Sequence, residues 1–151
     1  MMHDLRALMV QIELFRGLTE AQIDKLVAIS QREVYPANAT ILNHNMPGDN
    51  LYIIVSGEVA VLKRGAAGQF YPALYLGEGQ IFGEVALLDQ GTRSAAITAV
   101  QADTVVYALG RQAFDALCQS DLALGFHVMR NLALDLAFKL RHRNYDMSGD
   151  V

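Results

Sequence analysis

The stretch FGEVALLDQGTRSAA, residues 82–96, decides the fold of this chain. Apolar and small residues dominate it, yet Glu84 and Arg93 lie inside it, where a charge is costly to bury unless something pairs with it. The letters VALL after Glu84 suffice for one helical turn, whose first N–H groups carry partial positive charge. Gly83 permits a positive φ or a close backbone approach, and the planar guanidinium of Arg93 suits phosphate oxygens. The stretch therefore predicts a site for a phosphate-bearing ligand, with Glu84 accepting a hydrogen bond from a sugar hydroxyl.

Length and charge exclude several classes of protein. The 151 residues fit one domain with its own core. Twelve Lys and Arg residues against 16 Asp and Glu residues give a net charge of −4, which argues against a protein that binds nucleic acid through overall positive charge. No segment approaches the roughly 18 apolar residues of a membrane span, so we expect no membrane insertion and a cytoplasmic location. Cys118 is the single cysteine, and its flanks predict a thiol packed between helices.

Short β-like runs separated by turn residues surround the opening stretch. Their spacing of roughly 8 to 12 residues favours a barrel or sandwich over a parallel sheet with crossover helices. The runs are ATILN, LYIIVS, EVAVLKR, YPALYL, SAAITAV and TVVYAL.

Helical patterns occupy both ends of the chain. Thr19 and Gln22 have the spacing of a capping box, which predicts a helix beginning at about Glu20. After Gly110, RQAFDALCQ reads as a short helix, and Ser120 is the predicted cap of a longer one, DLALGFHVMRNLALDLAFKLRHRN.

The longer helix carries two apolar stripes. The first has the spacing of a coiled-coil seam, at Leu122, Phe126, Met129, Ala133, Leu136 and Leu140. The second runs through Leu124, Val128 and Leu132. One stripe is enough to dock a helix on a barrel, so the two together predict either a homodimer through residues of about 121–143 or one wide face packed within the chain. The basic residues at its end complement the helix dipole, and no DNA-reading module is expected from this chain alone.

These features together resemble the cyclic nucleotide-binding domain family, whose phosphate-binding cassette has the pattern F-G-E-(apolar)-A-L-(apolar), a short loop, then R-(S/T/A)-A. Here the pattern stands as FGEVALL, DQGT and RSAA. The resemblance covers nearly the whole chain and implies an α+β, mainly β fold: an antiparallel, jelly-roll-like β-roll with N-terminal helices and a C-terminal helix pair. It implies one domain over 1–151, with helices at about 4–33, the roll at 34–109, the cassette at 82–95 and the last helices at 111–143.

The resemblance also assigns ligand contacts. Arg93, Ser94 and Ala95 match positions at the cyclic phosphate, and Gly83 and Glu84 match positions at the ribose. Apolar positions that line the pocket match Val61, Ala73, Leu76, Phe82 and Val85.

The serine after the arginine looks more like the cAMP binders of the family than the cGMP binders, which have a threonine there, so the expected ligand is cAMP ahead of cGMP. In resembling proteins the last helix closes over the base, and it offers four polar or aromatic candidates here: Arg130, Asn131, Phe138 and Lys139. The effector that receives the signal stays unnamed by the sequence.

Two other readings compete with a nucleotide sensor. The first is a ligand-independent interaction module that dimerises through the last helix and keeps Glu84 and Arg93 only as a structural ion pair. The second is a metalloenzyme on a small β-roll, but the four histidines are scattered along the chain, and neither a nucleophile elbow nor a Walker loop is present. We therefore expect no enzyme, no metal and no cofactor.

Overall fold

The chain folds as a β-roll with helices at both ends. The structure, a computed structural model, describes residues 2–44, 48–89, 91 and 95–142, with side chains described from residue 5 onward. The helices are α1 (Met2–Gln11), α2 (Glu20–Ile29), α3 (Arg111–Ser120) and α4 (Leu122–Arg141), with short 3₁₀ helices at Glu13–Phe15 and Glu84–Leu87.

Within the described residues, eight strands form two antiparallel four-stranded sheets. They are β1 (Gln31–Tyr35), β2 (Thr40–Leu42), β3 (Asn50–Ser56), β4 (Val59–Arg64), β5 (Phe70–Leu76), β6 (Ile81–Phe82), β7 (Ala95–Ala99) and β8 (Thr104–Gly110). The strand orders are β1-β8-β3-β6 and β2-β7-β4-β5. The mainly β roll with terminal helices is therefore confirmed.

Strands β3 and β8 are buried on both faces, because one face meets the helices and the other lines the interior of the roll. On β3, Leu51 and Ile53 belong to the cluster that the helices cover, whereas Tyr52 and Ile54 belong to the cluster inside the roll. Alternate side chains of a strand point to opposite faces. This explains the nearly continuous apolar run LYIIV, and it means that the helices are packed directly behind the wall of the roll.

The first strand begins earlier than the sequence predicts. β1 starts at Gln31, whereas helical residues were expected to about 33. Helix α2 ends at Ile29, and Ser30 is already extended, with φ −87° and ψ 143°. The letters QREVY lack an apolar alternation because the strand lies at a sheet edge with its first two residues exposed, and its order comes from pairing with β8.

The helix starts follow from capping chemistry. The capping box of α2 is present: Thr19 Oγ1 accepts from the N–H of Gln22, and Gln22 Oε1 accepts from the N–H of Thr19. The predicted cap of α4 was wrong by one residue. Asp121 is the cap, since its Oδ1 accepts from the N–H of Leu124 at 3.1 Å, while Ser120 donates its hydroxyl back to Leu117 within α3.

Helix α4 docks mainly through its second apolar stripe, and Met129 and Leu136 of the first stripe are partly buried against the same core. Leu124, Val128 and Leu132 are fully buried against the helical side of the sheet. A Cβ on Gly125 would lie 2.9 Å from Cβ of Cys118, so α3 and α4 are in close contact there. Burial raises the pKa of the Cys118 thiol, as do the carboxylates of Asp115 and Asp121, which agrees with a packing role.

Candidate functional site

Gly83 begins the site with a left-handed backbone. It is the N-cap of the 3₁₀ helix Glu84–Leu87, with φ +78° and ψ 20°. A Cβ at this position would lie 2.8 Å from the carbonyl oxygen of Asn50 on β3. Only glycine satisfies both the positive φ and the close approach. The short helix is thereby held against β3, and the helical turn expected after Glu84 is present.

Glu84 is a buried carboxylate, with 7% of the residue exposed. Its Oε2 lies 3.4 Å from Nζ of Lys139, which also lies 3.2 Å from Oδ2 of Asp135. Burial of the Lys139 ammonium opposes its charged form, but the charges of Glu84 and Asp135 outweigh this and raise the pKa of Lys139. The last two turns of α4 therefore reach the proposed ribose-binding position directly.

The inner wall of the roll begins beside Gly83. The ring of Phe82 is fully buried and stacks on Tyr52, with centroids 4.9 Å apart and an angle of 12° between the planes. Val61 on β4 and Ala95 on β7 lie in the same buried cluster as Phe82. The structure thus brings two of the predicted lining residues, Val61 and Phe82, together with Ala95, a predicted phosphate contact, on one apolar surface.

The register of β5 could not be read from the sequence. Val61 pairs with Leu74 and Leu62 with Pro72, so Ala73 occupies an irregularity in the ladder. Leu74 and Leu76 pack against the cluster inside the roll. Leu74 was absent from the predicted lining, and its alternation with Leu76 is the signal that identifies it.

Two predicted contacts lie outside the described residues: Arg93 and Ser94, both assigned to the cyclic phosphate. Their neighbour Ala95 is described and begins β7, with 6% of the residue exposed. Val85 is half-buried, on the 3₁₀ helix that follows Gly83.

The structure separates the four candidate base contacts on α4. Asn131 donates hydrogen bonds to the carbonyls of Leu14 and Arg16, each at 2.9 Å, and so ties α4 to the turn after α1. Phe138 is 59% exposed and lies against His142, with ring centroids 4.3 Å apart. Arg130 is exposed. Lys139 is the one whose contact with the cassette is described, through Glu84.

A cavity of about 280 Å³ lies on the helical side of Glu84, walled by α4, the turn after α1 and the loop before β6. Three carboxylates line it, those of Glu13, Glu84 and Asp135. Across the described part of the chain, no group of three or more His, Cys, Asp and Glu side chains is placed to hold a metal ion. None of the described helices is long and apolar enough to cross a membrane.

Comparison with known proteins places this geometry in a family. The family model described as "Cyclic nucleotide-binding domain" matches residues 32–121. The chain is 37% identical over 134 residues to the cyclic AMP receptor protein of Thermus thermophilus, covering 89% of this chain and 60% of that protein. It is 35% identical over 111 residues to the cAMP-dependent protein kinase regulatory subunit of Aspergillus niger, covering 74% of this chain and 26% of that protein.

The fold agrees with a solved structure. The crystal structure of the Thermus thermophilus catabolite activator protein superposes with a TM-score of 0.78 at 37% identity, over 89% of this chain and 61% of that one. The chain spans about 60% of the length of the receptor protein and 26% of that of the kinase regulatory subunit. Sequence pattern, sheet order and backbone similarity therefore agree, and the chain belongs to the cyclic nucleotide-binding domain family.

Proposed function

We propose that this chain is one cyclic nucleotide-binding regulatory domain whose ligand is cAMP ahead of cGMP. In this proposal Glu84 accepts a hydrogen bond from the ribose 2′-hydroxyl, beside the backbone of Gly83. Arg93 pairs with the cyclic phosphate, with Ser94 and Ala95 next to it. Val61, Ala73, Leu76, Phe82 and Val85 form the apolar lining. The domain carries out no chemistry on its ligand.

The observation that carries the proposal is the buried Glu84 next to a left-handed Gly83 that no other residue can replace without strain. Glu84 is buried beside Lys139, and a buried carboxylate can accept a further hydrogen bond, as a ribose hydroxyl requires. Two relatives are named for cAMP, one as a cyclic AMP receptor protein and one as a cAMP-dependent protein kinase regulatory subunit, which supports the choice of ligand.

Helix α4 transmits binding in this proposal. It is anchored at Asn131 to the turn after α1, while Lys139, two turns later, contacts Glu84. A ribose hydroxyl that binds Glu84 changes the hydrogen-bond partners of that carboxylate. It thereby changes the position of the C-terminal end of α4. A ligand shifts such an equilibrium only by its difference in affinity for the two positions of the helix.

The output is proposed to pass through a second copy of the chain. Three members of the first apolar stripe of α4 are largely exposed: Leu122 at 77%, Phe126 at 62% and Leu140 at 63%. A homodimer formed along this stripe buries them, and any further effector then responds to the dimer geometry. The same observation favours the second candidate, an interaction module that dimerises without ligand.

Calorimetric titration with cAMP and with cGMP at matched salt tests the proposal. Dissociation constants at or below the micromolar range, tighter for cAMP, are the expected result. Arg93→Ala is expected to weaken binding by about 2 to 5 kcal/mol and to leave the unliganded fold intact. If folded, nucleotide-free protein binds neither nucleotide, the chain is not a nucleotide sensor. The ligand-independent interaction module is then the better candidate. A large loss of unliganded stability in Arg93→Ala, with nearly unchanged affinity in the molecules that remain folded, instead makes the Glu84–Arg93 pair structural.

A further inference from the structure

Two carboxylates share one ammonium at the end of α4. Nζ of Lys139 lies 3.2 Å from Oδ2 of Asp135, one turn earlier on the same helix, and 3.4 Å from Oε2 of Glu84. Hydrogen bonds between an ammonium and a carboxylate are usually about 2.7 to 2.9 Å long, so both contacts are long. Neither carboxylate holds Lys139 tightly, and the ammonium can leave one for the other.

The two carboxylates differ in their access to solvent. The Glu84 side chain is buried, whereas the side chains of Asp135 and Lys139 are 42% and 41% exposed. Both carboxylates also line the cavity of about 280 Å³ on the helical side of Glu84, which leaves space beside them for the flexible lysine stem. An ammonium that leaves Glu84 therefore keeps Asp135 and water as partners.

We infer that Lys139 competes with the ribose 2′-hydroxyl for Glu84, and that the unliganded domain therefore binds its nucleotide less tightly than it would without this lysine. This inference rests on the proposed function and adds an autoinhibitory contact to it. Glu84 has lone pairs for both donors. A hydrogen bond to an ionised acceptor is about twice as strong as one to a neutral acceptor, and the ammonium neutralises part of that charge. The hydroxyl therefore binds most strongly when the ammonium moves to Asp135.

Removing the ammonium distinguishes competition from simple attraction. A cation near the site attracts an anionic ligand, so its loss alone is expected to weaken binding. Competition predicts the opposite, and Lys139→Met is expected to bind cAMP about three- to fivefold more tightly than the wild type. A fivefold change equals about 1 kcal/mol at about 1.36 kcal/mol per factor of ten, which is the most that a partly exposed ion pair usually contributes.

The decisive measurement is the ratio of the affinities for cAMP and 2′-deoxy-cAMP, titrated into the wild type and each variant. The two ligands carry the same phosphate and base, so long-range effects of charge cancel in the ratio. Only cAMP has the hydroxyl that competes with Lys139. Lys139→Met is therefore expected to raise the ratio about three- to fivefold, and to leave the affinity for 2′-deoxy-cAMP within about twofold of that of the wild type.

Asp135→Asn is expected to change the ratio in the other direction. The variant removes the carboxylate that receives the displaced ammonium, so Lys139 opposes the ribose hydroxyl more strongly. A helix end that is merely loosened predicts the same change for both variants, because both break the Lys139–Asp135 pair. A ratio that rises in both variants therefore refutes the exchange.

Arg141→Met is the matched control, since it removes an exposed cation two residues further along α4. It is expected to leave the ratio unchanged, because solvent screens the charge and Glu84 keeps its partner. An unchanged or lower ratio in Lys139→Met overturns the competition and leaves the nucleotide sensor standing. A wild type that binds neither cyclic nucleotide overturns the sensor and the competition together.

Discussion

The ammonium of Lys139 lies 3.4 Å from Oε2 of Glu84 and joins the end of α4 to the cassette. The two residues are 55 positions apart in the chain. The carboxylate is buried and the lysine side chain is 41% exposed, so the pair lies at the boundary between the roll and solvent. Glu84 belongs to the proposed ribose site and Lys139 to the last helix. A change in the contacts of Glu84 therefore changes the contacts of α4.

Lys139→Met removes the cation from this pair. Because the Lys139 side chain is about half exposed and solvent screens its charge, the substitution is expected to lower the free energy of unfolding by only about 1 kcal/mol at pH 7. The folded-state pKa of Lys139 is raised, so its stabilising contribution is complete below the unfolded value of about 10.4 and is lost only as pH rises through the folded value. The free energies of unfolding in urea of the wild type and the variant are therefore expected to differ by a constant amount from pH 6 to 9. This difference is expected to become smaller above about pH 10.

Arg130→Met is the control for that measurement, because it removes an exposed cation from the same helix. It is expected to leave stability within about 0.5 kcal/mol of the wild type. If the difference in unfolding free energy between the wild type and Lys139→Met already becomes smaller between pH 6 and 9, the titration does not belong to Lys139.

Gly83→Ala tests the geometry that holds the cassette against β3. The alanine must adopt the φ of +78° and place its Cβ 2.8 Å from the carbonyl oxygen of Asn50. Left-handed strain and the backbone clash together are expected to cost about 2 to 4 kcal/mol of unfolding free energy, and to weaken nucleotide binding in the molecules that remain folded. Chemical denaturation and calorimetry measure the two effects.

Gly68→Ala isolates the strain from the clash. Gly68 has a similar φ of +84°, but nothing lies within 4 Å of a Cβ there. It is expected to cost about 1 kcal/mol and to leave binding unchanged. Equal costs at the two glycines refute the close approach to Asn50 as the reason for Gly83.

The cassette turn was predictable from sequence because its determinants are local. Gly83 permits the left-handed cap, and one helical turn follows at Glu84–Leu87. The capping box at Thr19 was predictable for the same reason.

The partners of these local elements were not predictable in the same way. Lys139 contacts Glu84 because α4 packs over the turn after α1, which depends on the buried stripe and on the two hydrogen bonds of Asn131. The sequence predicts no partner for Glu84 on that helix; it indicates only that Arg130, Asn131, Phe138 and Lys139 are candidates for contact with the base. Ala73 shows a second limit, since the irregular pairing of β5 with β4 is not visible in the sequence, and only the alternation of Leu74 with Leu76 indicates which β5 residues face inward.

Glu84→Ala tests the ribose contact when combined with a ligand that lacks the hydroxyl. The variant is expected to bind cAMP about tenfold more weakly, since a hydrogen bond to a charged acceptor is worth about 1.5 to 3 kcal/mol and water replaces part of it. Binding of 2′-deoxy-cAMP is expected to be weak in the wild type and nearly unchanged by the substitution. Competition titrations of both ligands against both proteins give the coupling free energy.

A coupling near zero in that cycle excludes a direct contact between Glu84 and the 2′-hydroxyl. Glu84→Gln is the matched variant, since it keeps the volume and an acceptor oxygen while removing the charge. Its affinity for cAMP is expected to lie between those of the wild type and Glu84→Ala. Its affinity for 2′-deoxy-cAMP is expected to equal that of both proteins.

Phe126→Lys combined with Leu140→Lys tests the dimer. Both side chains are more than half exposed and belong to the first apolar stripe of α4, of which Met129 and Leu136 pack partly against the core. Two lysines facing their counterparts in a symmetric partner introduce repulsion and remove apolar contact, so the variant is expected to sediment as a monomer. Because neither side chain is part of the core, its thermal stability at the monomer level is expected to change little.

Leu134→Lys is the control for the dimer, since Leu134 is 55% exposed on α4 but lies off that stripe. It is expected to leave the sedimentation of the wild type unchanged. A wild type that sediments as a monomer at about 100 μM, with and without cAMP, excludes the homodimer; α4 then acts on another partner or only within its own chain. If the protein binds cAMP but dimerises equally strongly with and without it, cAMP does not control dimerisation. The regulatory change is then a change in the geometry of the dimer.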